Sequence, residues 1–316
     1  MKIILTTPAP AHSRTGNRVT AIRWARILKE LGHQVLIKQN YEGQACDLMI
    51  ALHARRSFPA IERFSHLFPE RPLVVALTGT DLYQDIQSDR DAQHSLKLAN
   101  RLVVLQAMGI EELPQAFRAK TRVIYQSFPK PKKTVKKNKT TFDICVVGHL
   151  RPVKDPFLAA FAVRKLPANS NIRLLHVGGA LSDEMEANAL REMQHNSRYH
   201  WLRERPRWET KRILSRSRLL IHSSIMEGGA NAISEALVLS VPILSSHISG
   251  SIGMLGSDYP GYFQVGDAES LTEQLVRIET DPEYLKSLQE WCDHLAPLFD
   301  PERELGSWKD LLDELT

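Results

Sequence analysis

Short apolar runs alternate with longer stretches in which apolar residues recur every third or fourth position, and the alternation persists along nearly the whole chain. Apolar runs bounded by turn-forming residues read as buried strands, and the amphipathic stretches read as helices between them. In the first half this predicts strands at 2–7, 34–38, 47–52, 73–78, 101–105 and 121–126. The clearest helix is 17–31, where Val19, Ile22, Ala25, Ile27, Leu28 and Leu31 form an apolar stripe and Gly32 stops it. A second series begins at Phe142–Gly148 and continues with strands at 172–177, 199–202, 218–222, 241–245 and 262–265. Its helices fall at 155–166, 183–195, 207–216, 230–240 and 268–279, and the stretch from Pro282 to Thr316 reads as helical with breaks near Pro297 and Pro301. Repeated strand–helix alternation predicts an α/β protein of two doubly wound, Rossmann-like domains. Ligand crevices in such domains lie at the carboxyl ends of the strands, so two facing domains would share one cleft.

The seam between the halves is marked by composition. Pro129 to Thr140 holds two prolines, six lysines and one large apolar residue, the make-up of a solvated linker. It lacks the arginines and aromatic residues that a nucleic-acid arm would use for stacking. This sets domains at 1–129 and 141–299, with 130–140 between them. The chain is 43% hydrophobic and 24% charged, with no apolar run long enough to span a bilayer. The opening residues Met1–Pro8 read as a first strand rather than a signal peptide. Cys46, Cys145 and Cys292 lack metal-type spacing and suit inert, buried positions in a reducing cytoplasm. The net charge of +5 fits a small anionic substrate as well as it fits nucleic acid.

Two segments carry chemistry. In Glu227-Gly228-Gly229-Ala230-Asn231-Ala232-Ile233-Ser234-Glu235, two glutamates bracket a strand-to-helix turn with paired glycines at the bend. Glycines let a backbone approach a ligand closely, and the N–H groups of the first helical turn favour an anion. The carboxylates, acceptors only, can hold hydroxyls on either side. The second segment, Gly148-His149-Leu150-Arg151-Pro152-Val153-Lys154-Asp155-Pro156, follows the first strand of the second half and places a lysine where a helix is expected to begin. A cation there can neutralise a diphosphate, although most loop lysines and arginines are simply exposed. Elsewhere the bland explanation prevails. Ser88-Asp89-Arg90-Asp91 sits in a polar helical stretch with no strand end nearby, no histidine or cysteine pair has zinc spacing, and Trp201 suits a core position. His53 at a strand end reads as a core histidine before it reads as a base.

Together the two segments resemble the GT-B glycosyltransferases of family 4, in which Gly-Arg-Leu-x-x-x-Lys-Gly and Glu-x7-Glu segments bind a nucleotide-sugar donor. The resemblance implies a GT-B fold of two facing Rossmann-like domains, with a final helix, about 300–316, packing back on the first. It implies that Glu235 holds the ribose of UDP, that Glu227 contacts the donor sugar, and that Gly228, Gly229, Ala230 and Asn231 cradle the diphosphate. Lys154, with Arg151 or His149, would stabilise charge on the departing UDP without a metal ion or other cofactor. The chain departs from the pattern at His149, where the family usually has arginine, and at Asp155, where it usually has glycine; Arg151 can restore the missing charge.

Segments of the first half, Thr15-Gly16-Asn17-Arg18, Ala51–Ser57, Leu77–Tyr83 and Tyr125-Gln126-Ser127, look like those of a subgroup that includes the selenosugar synthase of selenoneine biosynthesis. That likeness implies transfer of a glucose- or N-acetylglucosamine-type hexose from a UDP-sugar to selenophosphate, forming a C–Se bond. It also implies a functional link to an enzyme that makes selenophosphate, and a donor-side role for Gly16. A small, already ionised nucleophile needs a cationic, hydrogen-bonding pocket more than a general base. His12, Arg14, Arg55, Arg56, Thr78, Thr80 and Asp81 could supply one, with Asp81 equally suited to capping a helix. Two other functions fit the chain: transfer to a hydroxyl acceptor, and ligand binding without catalysis. A membrane-bound acceptor would call for a basic amphipathic surface helix, for which 17–31 is a weak candidate.

Overall fold

The computed structural model describes residues 1–13, 15–130 and 141–315. The expected linker core at 131–140 and the acceptor role expected of Arg14 lie outside the described residues. The chain divides into two compact units. One comprises Met1–Gln126, Glu227–Gly229 and Pro301–Thr316; the other comprises Ser127–Met226 and Ala230–Asp300.

Among the described residues, each unit holds one six-stranded sheet in which every neighbouring pair is parallel. The first is built from β1 (Lys2–Thr6), β2 (Gln34–Lys38), β3 (Leu48–Leu52), β4 (Leu73–Leu77), β5 (Arg101–Val104) and β6 (Thr121–Val123), in the order β2-β1-β3-β4-β5-β6. The second holds β7 (Phe142–Val147), β8 (Ile172–Val177), β9 (Tyr199–Trp201), β10 (Leu219–His222), β11 (Ile243–Ser246) and β12 (Tyr262–Phe263), in the order β12-β11-β10-β7-β8-β9. β3 and β4 are buried along their whole length, as strands covered on both faces must be, which is why they read as unbroken apolar runs. Strand order reverses between β1 and β3 in one sheet and between β7 and β10 in the other. Those reversals open crevices at the carboxyl edge. No helix among the described residues is long and apolar enough to cross a membrane.

Two helices differ from expectation in an informative way. The helix Gly16–Glu30 buries Thr20, Ala21, Arg23, Trp24, Ala25, Ile27 and Leu28, whereas Ile22 is 52% exposed. Its inner face therefore runs through Trp24, which spaces with 20, 21, 27 and 28 at helical intervals; Ile22 lies off that face. The expected helix 155–166 is divided. A single 3-10 turn, Pro152–Lys154, is followed by Asp155 at φ 41°, and the α-helix proper runs only from Leu158 to Arg164. Lys154 thus sits before the helix, on the turn. Near the C-terminus, the helix Pro282–Leu295 yields to a 3-10 turn at Ala296–Phe299 that includes Pro297, and Pro301 opens a new helix, Pro301–Asp313.

That last helix is anchored in the first unit by tryptophan. Trp24 and Trp308 meet edge to face at 4.7 Å, and the Trp24 indole N–H donates to Glu304 Oε1 at 2.9 Å. Both rings are fully buried, and Leu311 and Leu312 join the same core. Trp308→Ala is expected to destabilise the first unit by about 3–5 kcal/mol, the usual cost of removing a buried aromatic ring. A urea titration that leaves its unfolding midpoint unchanged would contradict this packing.

Candidate functional site

In the second unit a small pocket opens between the ends of β7 and β10, at the reversal of strand order. Gly148, His149, Lys154, His176, His222 and Ser223 contribute to its walls. The turn that carries Lys154 is fastened to the end of β10. The Ser223 hydroxyl donates to the carbonyls of Lys154 and Asp155 at 3.1 and 3.0 Å, and Ile225 N–H donates to Val153 O at 2.9 Å. The left-handed backbone of Asp155 is one that glycine adopts freely and aspartate tolerates, which accounts for a usual glycine at this place. Burial, reinforced by the charge of exposed Arg151, pushes the Lys154 ammonium down to about 7.

The pocket's other wall is fixed by backbone contact. Gly178 lies so close to the Gly148 carbonyl that an added Cβ would fall 1.9 Å from its oxygen. His176 bonds both ways, to the Tyr199 hydroxyl and the Gly148 carbonyl at 3.1 Å each, and burial pushes its pKa down to about 4. His149 Nδ1 accepts from Gly179 N–H at 3.1 Å. Trp201 is a core residue, with its indole N–H donating to Gly178 O at 2.7 Å.

The glutamate-bracketed turn is shared out differently. In the second unit, Ala230 and Asn231 begin the helix Asn231–Val238, and Ala230 supplies no side-chain cap to its first N–H groups. Glu235 is buried on this helix, and its Oε1 lies 3.6 Å from the half-exposed Arg207 guanidinium. Glu227, Gly228 and Gly229 group with the first unit. There, a Cβ on Gly228 would fall 2.6 Å from the Thr78 carbonyl carbon, and one on Gly229 would fall 2.5 Å from Leu105 Cβ. Protein packing by itself requires glycine at both positions. The Tyr83 hydroxyl donates to the Glu227 carbonyl at 2.8 Å, and Gln106 in turn donates to that hydroxyl at 3.1 Å.

The first unit gathers a second set of charged groups beyond the ends of β3 and β4. Asp81, fully buried, is a brace rather than a helix cap or an exposed acceptor contact. Its carboxylate accepts from Thr78 and Gly79 N–H beyond β4 and from Ala54 N–H beyond β3. His53 takes a left-handed backbone, φ 75°, with its ring buried; Nδ1 accepts from Arg56 N–H and Nε2 meets the Thr80 hydroxyl, both at 3.3 Å. Burial holds its pKa below the usual range against the attraction of Asp81. Arg55 is half-exposed and pairs with Asp85 at 3.4 Å, while the Arg56 side chain is exposed. His12 is exposed on the connection that follows β1, and Gly16 is exposed at the start of the helix Gly16–Glu30.

Asp85, His176, Gly178, Arg207, His222 and Ser223 were not singled out in the sequence. His222 and Ser223 could have been, since they stand at a strand end a few residues before Glu227. Asp89, at the polar Ser88–Asp91 stretch, caps the helix Arg90–Leu98 by accepting from Ala92 N–H.

Comparison with known proteins locates this arrangement. The family of glycosyl transferases group 1 matches residues 127–291, which include the Lys154 turn and both glutamates. A glycosyltransferase 1 domain-containing protein 1 from Xenopus tropicalis is 24% identical over 90% of this chain and 89% of its own. The UDP-Gal:alpha-D-GlcNAc-diphosphoundecaprenol alpha-1,3-galactosyltransferase of Escherichia coli is 25% identical over 55% of this chain and 46% of its own. Among solved structures, Anabaena Alr3699/HepE in complex with UDP superposes with a TM-score of 0.78 at 17% identity, covering all of both chains. Sucrose-phosphate synthase from Thermosynechococcus elongatus superposes with a TM-score of 0.79 at 14% identity, over 99% of this chain and 98% of that one. The two parallel sheets are those of the GT-B fold, and the chain belongs to the glycosyl transferases group 1 family.

Proposed function

We propose that this enzyme transfers a hexose from a UDP-sugar to a small anionic acceptor, selenophosphate. The observation that carries the donor half is Lys154, a cation held partly out of water at the β7/β10 reversal. The UDP bound in Alr3699/HepE and the UDP-Gal named for the Escherichia coli relative support UDP as the carrier. In this reading Lys154 meets the diphosphate, with Arg151 and His149 beside it. The backbone N–H groups at Ala230 and Asn231, at the start of the helix, receive the phosphate oxygens, and Glu235 turns from Arg207 to the ribose hydroxyls. The bond between the anomeric carbon and the UDP oxygen breaks and its electron pair leaves with UDP, while a selenium lone pair forms the C–Se bond. Charge on the leaving group is then met by a fixed cation and amide dipoles, and no metal ion is assigned a part.

The acceptor half rests on Arg55, Arg56, Thr78 and Thr80, with His12 on the connection after β1 and with Arg14; Gly16, which opens the helix Gly16–Glu30, belongs to the donor side. Asp81 and His53 position these groups. Three free, buried thiols, Cys46, Cys145 and Cys292, support a reducing cytoplasm. The printed activity of the Escherichia coli relative favours a second reading, transfer to a sugar hydroxyl. Measuring UDP release from UDP-glucose and UDP-N-acetylglucosamine decides between them. Release that requires selenophosphate supports the proposal, release only with a hydroxyl acceptor supports the second reading, and none with either supports binding without catalysis.

Two further outcomes follow from Lys154. Replacement by alanine is expected to slow turnover by about 100-fold or more, as loss of a preorganised charge-stabilising group does. An unchanged rate constant would remove the lysine from the mechanism. The second outcome concerns protons. With the Lys154 ammonium at about 7 before UDP binds, a bound diphosphate raises its pKa, so at pH 8 binding must take up a proton. UDP affinity is accordingly greatest below pH 7 and falls as pH rises from 7 toward the raised value. Titration calorimetry at pH 8 in buffers of different ionisation enthalpy should show the uptake in the wild type and its loss in Lys154→Met.

A further inference from the structure

His222 closes β10 with 5% of its surface exposed, and its Nε2 has no hydrogen-bond partner. A buried ring nitrogen without a bond is a standing cost to the fold. His176, which lines the same pocket, avoids that cost by bonding through both nitrogens. The pocket that His222 lines has a volume of about 10 Å³, room for one oxygen-sized atom. Lys154 lines it too, near enough for its charge to add to burial in keeping the imidazole neutral. A neutral imidazole can donate one N–H to an anion without placing a second positive charge beside the ammonium. The adjacent Ser223 hydroxyl donates to the Lys154 and Asp155 carbonyls and is committed to holding the turn.

We propose that His222 is a further donor-phosphate ligand, whose Nε2–H bonds a non-bridging phosphoryl oxygen seated in this pocket beside the Lys154 ammonium. The proposal rests on the reading of the enzyme as a UDP-sugar transferase. It adds a contact at a strand position that is otherwise occupied by core residues, Leu219, Leu220 and Ile221.

UDP and uridine binding to the full chain test it, because uridine shares the base and ribose and lacks the phosphates. His222→Leu is expected to raise the Kd for UDP about tenfold, the effect of losing one hydrogen bond to a charged group, with uridine unchanged. His222→Gln, which restores an N–H at similar reach, should recover most of that loss. Equal weakening of UDP and uridine would assign His222 a structural role and overturn the proposal, as would UDP affinity unchanged in His222→Leu. If that variant does not fold, nitrogen NMR of histidine-labelled wild type decides. The Nε2 resonance of His222 should shift with UDP and not with uridine, and a resonance unmoved by UDP overturns the proposal. A wild type that fails to bind UDP at all would overturn the transferase reading itself, whereas wild-type binding indifferent to His222 overturns only this inference.

Discussion

An ammonium group kept partly out of water is expensive, and the second unit is built to hold one in place. The Lys154 turn is fastened to β10 through Ser223 and Ile225, so it cannot swing into solvent without breaking three hydrogen bonds. Its left-handed exit at Asp155 separates it from the helix that starts at Leu158, which frees the lysine from helical geometry. The Gly148–Gly178 backbone contact closes the opposite wall, and only glycine fits there. Removing the ammonium from water lowers its pKa, and the same desolvation strengthens its attraction for any anion that reaches the pocket.

The first unit solves a different problem, tying two strand-end loops together. A single carboxylate, Asp81, accepts backbone N–H groups from beyond both β3 and β4, and a buried carboxylate is tolerated because its oxygens are so fully used. That brace sets the backbone from which His53, Arg55 and Thr80 project. The strained, left-handed backbone of His53 is held by the same surroundings. Arg55, drawn to Asp85 but still half-exposed, keeps a guanidinium available at the carboxyl edge.

What the sequence reveals and what it hides divide along physical lines. Buried parallel strands announce themselves because both faces are apolar, so β3 and β4 are readable as continuous runs. That Lys154 follows β7 and that Glu235 lies on the helix after β10 is readable because order along each strand-to-helix unit is local information. The helix face through Trp24 is not, since its choice over Ile22 depends on Trp308, which lies far along the chain. The reason for Gly228 and Gly229 is hidden in the same way: the groups that forbid a side chain, Thr78 and Leu105, are more than a hundred residues away. Asp81 illustrates a third kind of hiding. Thr-Asp-Leu has the local signature of a cap, and only the arrival of Ala54 from a neighbouring strand shows the carboxylate spanning two loops.

The charge balance at the β7/β10 reversal also explains why histidine, rather than arginine, can stand near this lysine. Arginine cannot shed its proton in a protein, so a buried guanidinium beside the Lys154 ammonium would add repulsion that deprotonation could not relieve. A histidine under the same pressure becomes neutral and keeps a hydrogen-bonding nitrogen. His149, His176 and His222 all lie within this pocket; burial pushes His176 and His222 down to about 4 and about 3, with Lys154 adding to the shift at His222. Positive charge near the pocket then rests on Lys154 and the exposed Arg151, whose guanidinium is screened by water. The pocket thus sets one strong cation beside two buried imidazoles, His176 and His222, that burial keeps neutral.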